Sequence, residues 1–281
     1  RVKFNMLKKC LGYPKVHFYI AKDGLADVTY SVHGYTPGRF FMTKAAEFPF
    51  LGDSAEATSV AYWRVFKKHL EKADEHKGVK LLGLMTHGPG QIHNAKKDIN
   101  DLADFQGMKF RIGGGVVAEV TKSLGMTPLL ASATKNYEYL SNGVADGTLL
   151  PKDSIPAFKI TKLVPHTTII PGGLYNTSFF LVMNQKTWDK ISPADQKAIE
   201  AVSGEAFAKA SGAAWDAADA SGLAEMQANG NSVKTASDNL MKQIAEATNH
   251  IEAAWVKAAT EKGVDGAGAM MMFRSEVKNY K

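Results

Sequence analysis

Short apolar runs alternate with short amphipathic segments in the middle of the chain. Residues 108–112, 127–132 and 144–150 are compact runs of apolar residues, which are typical of buried strands. The segments VVAEVTKSLG and TKNYEYLSNG between them have helical periodicity and end at Gly125 and Gly143, where a left-handed glycine stops a helix. Strands that alternate with helices pair in parallel through right-handed crossovers, so this region is predicted to be an α/β unit.

The same patterns predict elements in the rest of the chain. The run GLYNTSFFLVMN at 173–184 is apolar and rich in aromatic residues, which indicates a central strand. Residues 192–230 are predicted to form one helix of about 36 residues, roughly 54 Å long, with Ser192 as its cap. Its apolar stripe changes sides near Trp215 and Met226, so this helix is expected to span two lobes. The other predictions are strands at 1–7, 26–32 and 79–86, helices at 15–23, 53–78 (capped by Asp53 or Ser54) and 237–263, and polar loops at 33–40 and 87–107.

One short phrase occurs twice, as GLADVTY at 24–30 and as GVADGTL at 143–149. In each copy a glycine ends a helix and Ala-Asp leads into a strand, which predicts equivalent turns in two α/β units. A chain of 281 residues has room for two such lobes. In open α/β sheets ligands bind beyond the carboxyl ends of the strands, so we expect a cleft between the lobes. We assign residues 1–86 and 176–215 to the first lobe, and residues 87–175 and 216–281 to the second.

Composition narrows the class of protein. Apolar residues make up 45% and charged residues 22%, as in ordinary globular proteins, and no apolar run is as long as a membrane span. The net charge of +6 comes from scattered lysine pairs with acids between them, so we expect no nucleic-acid partner. The single cysteine, Cys10, excludes an internal disulfide and is expected to be a partly buried, inert thiol.

The stretch KFRIGGGVVAEV carries the clearest candidate chemistry. Arg111 comes late in a strand, directly before glycines that open a helix. Backbone N–H groups at a helix start attract anions, and an arginine binds a carboxylate through two parallel hydrogen bonds. Arg111, Gly113 and Gly114 are therefore candidate residues for binding an organic anion. The alternative from the pattern alone is a surface arginine whose stem packs on the strand and whose head is solvated.

The same glycines suggest a nucleotide site. Gly113, Gly115 and Ala118 fit the pattern G-x-G-x-x-A after a strand. The dinucleotide fingerprint also requires an acidic residue about 20 positions later, and PLLASATKN contains none. Neither a catalytic triad order nor a phosphate-binding loop motif is present in the sequence. An NAD-dependent oxidoreductase is therefore the weaker alternative, and we expect no enzyme activity and no cofactor.

Two polar loops supply further candidate ligand contacts. His33, Tyr35, Gln91 and His93 lie among glycines after predicted strands and can donate hydrogen bonds to a polar ligand. The spacing of the histidines matches no metal-ligand pair, so we expect no metal site. His87 is instead expected to bond to the backbone.

Four segments, taken in their order along the chain, closely resemble solute-binding proteins of tripartite ATP-independent periplasmic (TRAP) transporters. They are KDGLADVTYSVHGYTPGRF, DLADFQGMKFRIGGGVVAEVTKSLGMTPL, YEYLSNGVADGTLLP and FFLVMNQKTWDKISPADQKAI. The resemblance covers essentially the whole chain. It implies a two-lobed α/β periplasmic-binding-protein fold (type II-like) with a long helix across both lobes. It also implies that Arg111 anchors the carboxylate of an organic acid, and that Tyr175 and Asn176 line the cleft where the strand crosses between the lobes.

Two departures from the family pattern indicate the ligand class. Leu150, which this correspondence makes a candidate ligand contact, stands where sialic-acid-type and dicarboxylate-type members have a ligand-binding asparagine. Gln91 lies near the place of a second cleft arginine. Both favour a small or partly apolar monoacid, such as a 2-oxo, hydroxy or aromatic carboxylate, with a small sulfonate as an alternative. The resemblance further implies a periplasmic, monomeric protein that delivers its ligand to membrane permease subunits. A ligand-sensing domain with the same fold is an alternative. We also expect an N-terminal strand, helix and export signal before Arg1.

Overall fold

The computed structural model describes residues 13–281, so the predicted strand at 1–7 and the environment of Cys10 lie outside the described part. The nine strands are β1 Val28–Val32, β2 Val79–Thr86, β3 Gln91–Asn94, β4 Lys109–Ile112, β5 Thr127–Leu130, β6 Gly147–Leu150, β7 His166–Ile169, β8 Ser178–Asn184 and β9 Ser232–Thr235 within that range. The ten α-helices there are α1 His17–Lys22, α2 Ala55–Val65, α3 Val116–Ser123, α4 Asn136–Ser141, α5 Ser154–Ala157, α6 Gln185–Asp189, α7 Pro193–Ala201, α8 Glu205–Ala228, α9 Asp238–Glu261 and α10 Gly266–Lys278. Over residues 13–281, no helix combines the length and apolarity that crossing a bilayer requires.

The strands form two sheets, which confirms the predicted mixed α/β architecture. A three-stranded sheet has the order β1-β8-β2, and β8 runs antiparallel to both of its neighbours. The central position predicted for the 173–184 run is therefore confirmed. Alternation along β8 places Phe180 against Phe18 and Phe40 on one face, and Phe179 on the opposite face beside Trp215.

The second sheet has six strands in the order β5-β4-β6-β3-β7-β9. Strand β4 pairs in parallel with β5 and β6, as the alternation of strands and helices predicted. Strand β3 is antiparallel to both β6 and β7, and it lies inside the region predicted as the polar loop 87–107. That prediction was wrong here because the polar side chains of β3 find hydrogen-bond partners inside the sheet, which makes a buried polar strand stable.

The two copies of the repeated phrase form the same helix-to-strand turn. Gly24 (φ 76°) ends α1 and Gly143 (φ 66°) ends α4, both in the left-handed region. In each copy the amide of the residue after the glycine donates a hydrogen bond to a carbonyl in the last turn of the helix. The Leu25 amide donates to the Ile20 carbonyl and the Val144 amide to the Tyr139 carbonyl, each at 2.9 Å. The first copy leads to β1 of the three-stranded sheet and the second to β6 of the six-stranded sheet, so the predicted equivalence is confirmed.

The single helix predicted over 192–230 is two helices, α7 and α8. Ser192 caps α7 as expected, since its hydroxyl accepts the amide of Asp195. The break occurs at Gly204, which has a φ of 61° and donates its amide to the carbonyl of Leu82. A side chain at Gly204 would collide with the ring of Trp63, so tertiary packing rather than local sequence ends the first helix.

Helix α8 nevertheless contacts elements of both sheets. Gly212 packs on the backbone of Glu56 at the start of α2, and Gly222 packs on the backbone of Asp153 beside α5. The Asp216 carboxylate accepts the amides of Ala55 and Glu56, at 2.6 and 3.1 Å. Helix α8 therefore joins the two halves of the molecule through close backbone contacts.

The division of the chain into lobes remains a prediction. Strands β1, β2 and β8 share one sheet and the other six share the second, in line with the assignment of these segments. Helix α10 packs against α2 beside the three-stranded sheet, although the assignment placed residues 216–281 with the other lobe. Helix α2 itself begins at the Ser54 cap and passes into a π-helical turn at Phe66–Leu70, so the helix predicted over 53–78 is shorter and irregular.

Candidate anion-binding site

Arg111 is held inside the protein, at the end of β4 where the two sheets meet. Phe110 and Ile112 point into the core, so alternation along the strand directs Arg111 to the other face. The side chain is only 2% exposed, which excludes the surface alternative. Its Nε and Nη2 atoms donate to the Ala131 carbonyl at 3.0 and 2.7 Å, and Nη2 lies 3.4 Å from the hydroxyl of Tyr35.

The buried cation has no acidic partner in the part of the chain that the structure describes. None of the ion pairs found among residues 13–281 includes Arg111, and its hydrogen-bond partners are a carbonyl and a phenol. Burial lowers the pKa of the Arg111 guanidinium, while Tyr35 and Tyr175 nearby act in the opposite direction. A buried charge without a counter-charge is costly, so this side chain is suited to an anion that comes from outside the chain.

Tyr35 brings the other half of the molecule to Arg111. It follows β1 of the three-stranded sheet, and its hydroxyl accepts the amide of Ala133 at 3.0 Å, as well as approaching Arg111. Ala133 and Arg111 both belong to the six-stranded side. The predicted cleft residue Tyr35 therefore lies at the site, and it links the two halves.

A group of aromatic rings lies within electrostatic reach of Arg111, whose charge acts on the pKa values of His87 and Tyr175. We call His87, Tyr175, Phe179 and Trp215 the aromatic cluster. The His87 ring lies edge-on to Tyr175, Phe179 and Trp215, with ring centres 5.7, 5.8 and 6.0 Å away. Burial lowers the pKa of His87 to about 4, and the charge of Arg111 contributes to this shift. Such edge-on arrangements are favourable for aromatic groups.

Three predicted ligand contacts are committed to hydrogen bonds within the protein. His33 shares an Nε2–Nε2 hydrogen bond of 2.9 Å with His76, between the rings of Phe40 and Phe180. The two nitrogens of His93 pair with the Thr167 hydroxyl and the Leu150 carbonyl, and the Gln91 Oε1 accepts the amide of Ile170. Both nitrogens of His93 are therefore satisfied within the protein, whereas Nδ1 of His33 has no partner among the described residues, and contacts of these three residues with a ligand remain predictions.

The other predicted residues occupy mixed positions. Tyr175 is a member of the aromatic cluster and packs on Gly90, where any side chain would collide with its ring. Asn176 bonds to its own neighbour, since its Oδ1 accepts the amide of Thr177. Leu150 is buried in a small apolar core with Ile155 and Met226. Of these three, Tyr175 lies near Arg111, as its effect on the arginine pKa shows.

The glycine turn before α3 already faces a carboxylate of the protein. Glu47 is buried, and its Oε2 accepts the amide of Val116 at 2.9 Å, at the first turn of α3. Burial raises the pKa of this carboxyl, and hydrogen bonds from Ser178 and Val116 oppose that rise. A dinucleotide site needs this helix start for a pyrophosphate, which Glu47 would repel, so the structure disfavours the NAD alternative. Contacts of a ligand with Gly113 and Gly114 remain predictions.

Arg111 lines neither of two cavities formed by residues 13–281. One of about 610 Å³ lies on the outer side of the three-stranded sheet, along β2 and the π-helical turn. One of about 280 Å³ lies between His33, Thr43, Lys44 and the turn at Gly114. Within residues 13–281, no group of three or more His, Cys, Asp or Glu side chains is arranged to hold a metal ion.

Sequence reasoning found the cation but missed most of the rings. His87 does bond to the backbone, as predicted, through Nδ1 and the Gly88 carbonyl, yet its ring also belongs to the aromatic cluster. Phe179 and Trp215 were noted only as strand and helix residues. The sequence contains only a weak indication that these two rings face away from the core. Phe179 alternates with the core residue Phe180, and Trp215 lies off the apolar stripe of its helix.

Comparison with known proteins identifies close relatives. Residues 11–259 match the model of a family described as bacterial extracellular solute-binding protein, family 7. An outer membrane transporter protein TsaT of Comamonas testosteroni is 30% identical, over 98% of this chain and 82% of that protein.

Solved structures agree with the fold. A TRAP periplasmic solute-binding protein of Bordetella bronchiseptica with bound (R)- and (S)-mandelate is 41% identical, covers 98% of this chain and 87% of its own, and has a TM-score of 0.95. A TRAP solute-binding protein of Rhodoferax ferrireducens in complex with benzoate is 30% identical, with 95% and 83% covered and a TM-score of 0.89.

Proposed function

This chain belongs to the bacterial extracellular solute-binding proteins of family 7, and from that premise we propose that it captures an aromatic monocarboxylate in the periplasm for a TRAP permease. The resemblance of the sequence to TRAP solute-binding proteins is confirmed by the family match and by the solved structures. The family is one of binding proteins rather than enzymes. The capture of an organic acid is therefore the function, and the aromatic class is the proposal.

The observation that carries the proposal is the buried, unpaired cation at Arg111. The carboxylate of a ligand would supply the missing counter-charge and accept hydrogen bonds from the guanidinium in a water-poor site. Burying the guanidinium and the ligand carboxylate together costs less free energy when both groups are fully hydrogen bonded. The Ala131 carbonyl and the Tyr35 hydroxyl already accept some of the N–H groups of the guanidinium. One cation favours one carboxylate over two.

The aromatic cluster supports a ring as the other half of the ligand. His87, Phe179 and Trp215 come from a loop, a strand and a helix, and converge beside Arg111. The ligands of the similar proteins, mandelate and benzoate, each combine one carboxylate with one ring. A site of this composition would bind such molecules through one charged and one apolar contact surface.

Closure of the cleft would follow from contacts made to both halves at once. Arg111 and Ala133 belong to the six-stranded side, whereas Tyr35 and Phe179 belong to the three-stranded side. A ligand that touches both sides binds the closed form better than the open form, and only this difference in affinity shifts the balance.

Titration calorimetry with four small molecules tests the proposed ligand class. We expect benzoate and mandelate to bind, benzyl alcohol to show no measurable binding because it lacks the anion, and succinate to bind at least about tenfold more weakly than benzoate. Succinate binding as tightly as benzoate would contradict the aromatic monocarboxylate assignment.

Delivery to a permease, a periplasmic location and a monomeric state are further parts of the proposal. Uptake of labelled benzoate into vesicles that contain the cognate permease should require this protein. A ligand-sensing domain would bind the same acids without supporting uptake, so this experiment separates the two functions. Sedimentation equilibrium would measure the oligomeric state.

A further inference from the structure

We propose that a closing seam, made of Gly34, Glu47, Gly114, Gly115, Val116 and Ser178, stabilises the closed cleft independently of the ligand and thereby raises the affinity. The inference rests on the proposed function, because it concerns the open–closed balance of a ligand trap. It goes beyond that function because none of the hydrogen bonds that form the seam involves Arg111 or the aromatic cluster.

The first part of the closing seam is a contact between two backbones. A Cβ atom on Gly34 would lie 2.9 Å from both the carbonyl carbon and oxygen of Gly114, and 3.0 Å from the nitrogen of Gly115. A Cβ atom on Gly114 would lie 2.7 Å from the Gly34 oxygen. The φ angle of Gly34 does not lie in the left-handed region, so its backbone conformation does not require a glycine. A glycine is required because there is no room for a side chain. Because Gly34 follows β1 and Gly114 follows β4, the two halves meet here with no side chain between them.

The second part is the buried carboxylate of Glu47. Its Oε1 accepts the amide and hydroxyl of Ser178 at 3.2 and 2.6 Å, and its Oε2 accepts the amide of Val116 at 2.9 Å. Ser178 begins β8 of the three-stranded sheet, and Val116 begins α3 on the six-stranded side. The carboxylate therefore joins the two halves through charge-assisted hydrogen bonds at the positive end of a helix.

Gly115 makes this second contact possible. A Cβ atom at Gly115 would lie 2.3 Å from Oε2 of Glu47, so a side chain would push the carboxylate away from α3. The three glycines before α3 looked like an anion site for a ligand, and one of them instead admits an anion of the protein. The helix start offers a partial positive charge to the Glu47 carboxylate, and the missing side chain of Gly115 leaves room for it.

The consequence concerns the share of ligand-free protein that is closed. When only one conformation binds, the apparent dissociation constant equals the intrinsic constant divided by the populated fraction of that conformation. Contacts that stabilise the closed form in the absence of ligand raise this fraction. The closing seam is therefore expected to tighten binding of every ligand by the same factor, whereas Arg111 and the aromatic cluster select among ligands.

Gly34→Ala tests the seam directly, since the added methyl group would hold Gly34 and Gly114 apart. Spin labels at Leu25→Cys and Val144→Cys, with Cys10 replaced by serine, report the distance between the halves by electron paramagnetic resonance. These positions are exposed, one in each copy of the repeated turn. We expect a longer distance in the ligand-free variant and a loss of benzoate affinity of about tenfold or more.

Gly38→Ala is the control for backbone strain in the same loop: its φ of 82° makes an alanine strained there, but no atom lies within 4 Å of the added Cβ, so the methyl group cannot push the two halves apart. It should leave the label distance unchanged. A Gly34→Ala protein with wild-type label distances and a benzoate affinity within twofold of wild type would overturn the proposal.

Glu47→Gln provides a second test if Gly34→Ala fails to fold. The amide NH₂ group must then face either the Val116 or the Ser178 amide, and two donors cannot pair. We expect a longer label distance in the ligand-free protein, and an unchanged distance would count against the seam. A failure of the proposed function can be told apart from a failure of the seam. If the function is wrong, the wild-type protein will not bind benzoate or mandelate. The label distances in the ligand-free variants would still test the seam in that case.

Discussion

Two polar side chains in one row of the six-stranded sheet differ in how far the protein satisfies them. Arg111 on β4 and His93 on β3 are both in register with Thr148 on β6, so their side chains emerge on the same face of the sheet. Both are buried, and both were predicted as ligand contacts. His93 has a partner in the protein for each nitrogen, whereas Arg111 has only neutral partners for its charge.

The difference lies in what covers the face of the sheet at each end of that row. Above His93 lies α8, whose Met226 also contacts the Thr167 hydroxyl that bonds to the histidine. Above Arg111 lies Tyr35 from the other sheet, which supplies a phenol and no charge. A buried polar side chain is structural when the protein satisfies it, and it is a binding group when the protein leaves its charge unpaired.

The largest expected effect is that of Arg111→Ala on affinity. Loss of the guanidinium removes the only counter-charge proposed for the ligand carboxylate, so benzoate binding should weaken by at least about 100-fold, or about 3 kcal/mol. The protein should stay folded, but the free energy of unfolding is expected to fall, because a large buried side chain is removed and the Ala131 carbonyl loses its donors. Titration calorimetry and thermal unfolding measure both quantities.

Arg274→Ala serves as the control for that experiment. Arg274 is exposed and paired with Glu252, so its loss should change neither affinity nor stability by much. If Arg111→Ala kept wild-type affinity, Arg111 would not be the carboxylate anchor and the comparison with His93 would lose its meaning.

A second prediction concerns His93 and pH. Burial lowers the pKa of His93 to about 3, while the bond to the Leu150 carbonyl opposes this shift. An unfolded histidine titrates near pH 6.5, so between about pH 6.5 and 3 the unfolded chain binds a proton that the folded chain excludes. The contribution of His93 to stability is therefore complete above pH 6.5 and is lost as the pH falls, by about 1.4 kcal/mol per pH unit.

Comparison with His93→Gln isolates this single group from all other titrations. The difference in the free energy of unfolding between wild type and variant should change by about 2.3 kcal/mol in favour of the variant from pH 6.5 to pH 4.5, because the unfolded histidine is already half protonated at pH 6.5. Benzoate affinity at pH 7 should remain within a few-fold in His93→Gln, and a loss as large as that of Arg111→Ala would make His93 a binding residue after all.

Local sequence predicted most of the elements, because glycine stops and serine caps act within one helical turn. Gly24 and Gly143 end their helices, and Ser192 begins α7, by hydrogen bonds to residues close in the chain. The break at Gly204 was missed since it depends on the carbonyl of Leu82 and the ring of Trp63, which lie far away in sequence. Strand β3 was missed for a similar reason, as its polar side chains are satisfied only by other strands.

The candidate site shows the same limit. Arg111 was predicted because its charge, its strand and the following glycines are neighbours in the sequence and match a family pattern. The aromatic cluster was not, because His87, Phe179 and Trp215 meet only after two sheets and α8 have packed together. The role of the glycine turn was also hidden, since its anion is Glu47, about 70 residues earlier in the chain.

The smallest expected effect, that of Trp215→Leu, separates the charged and apolar halves of the site. Leucine keeps an apolar side chain on α8 but removes the ring that faces His87 and Phe179. An aromatic pair contributes about 0.5–1.5 kcal/mol beyond the area it buries, so benzoate affinity should fall by up to about tenfold. Binding of pyruvate, which has a carboxylate and no ring, should change by less than twofold because Arg111 is untouched. The ratio of the two affinities, measured by calorimetry on the same protein sample, is therefore the informative quantity. An equal loss for both acids would mean that Trp215 supports the shape of the site as a whole, and the aromatic cluster would then not select the ligand.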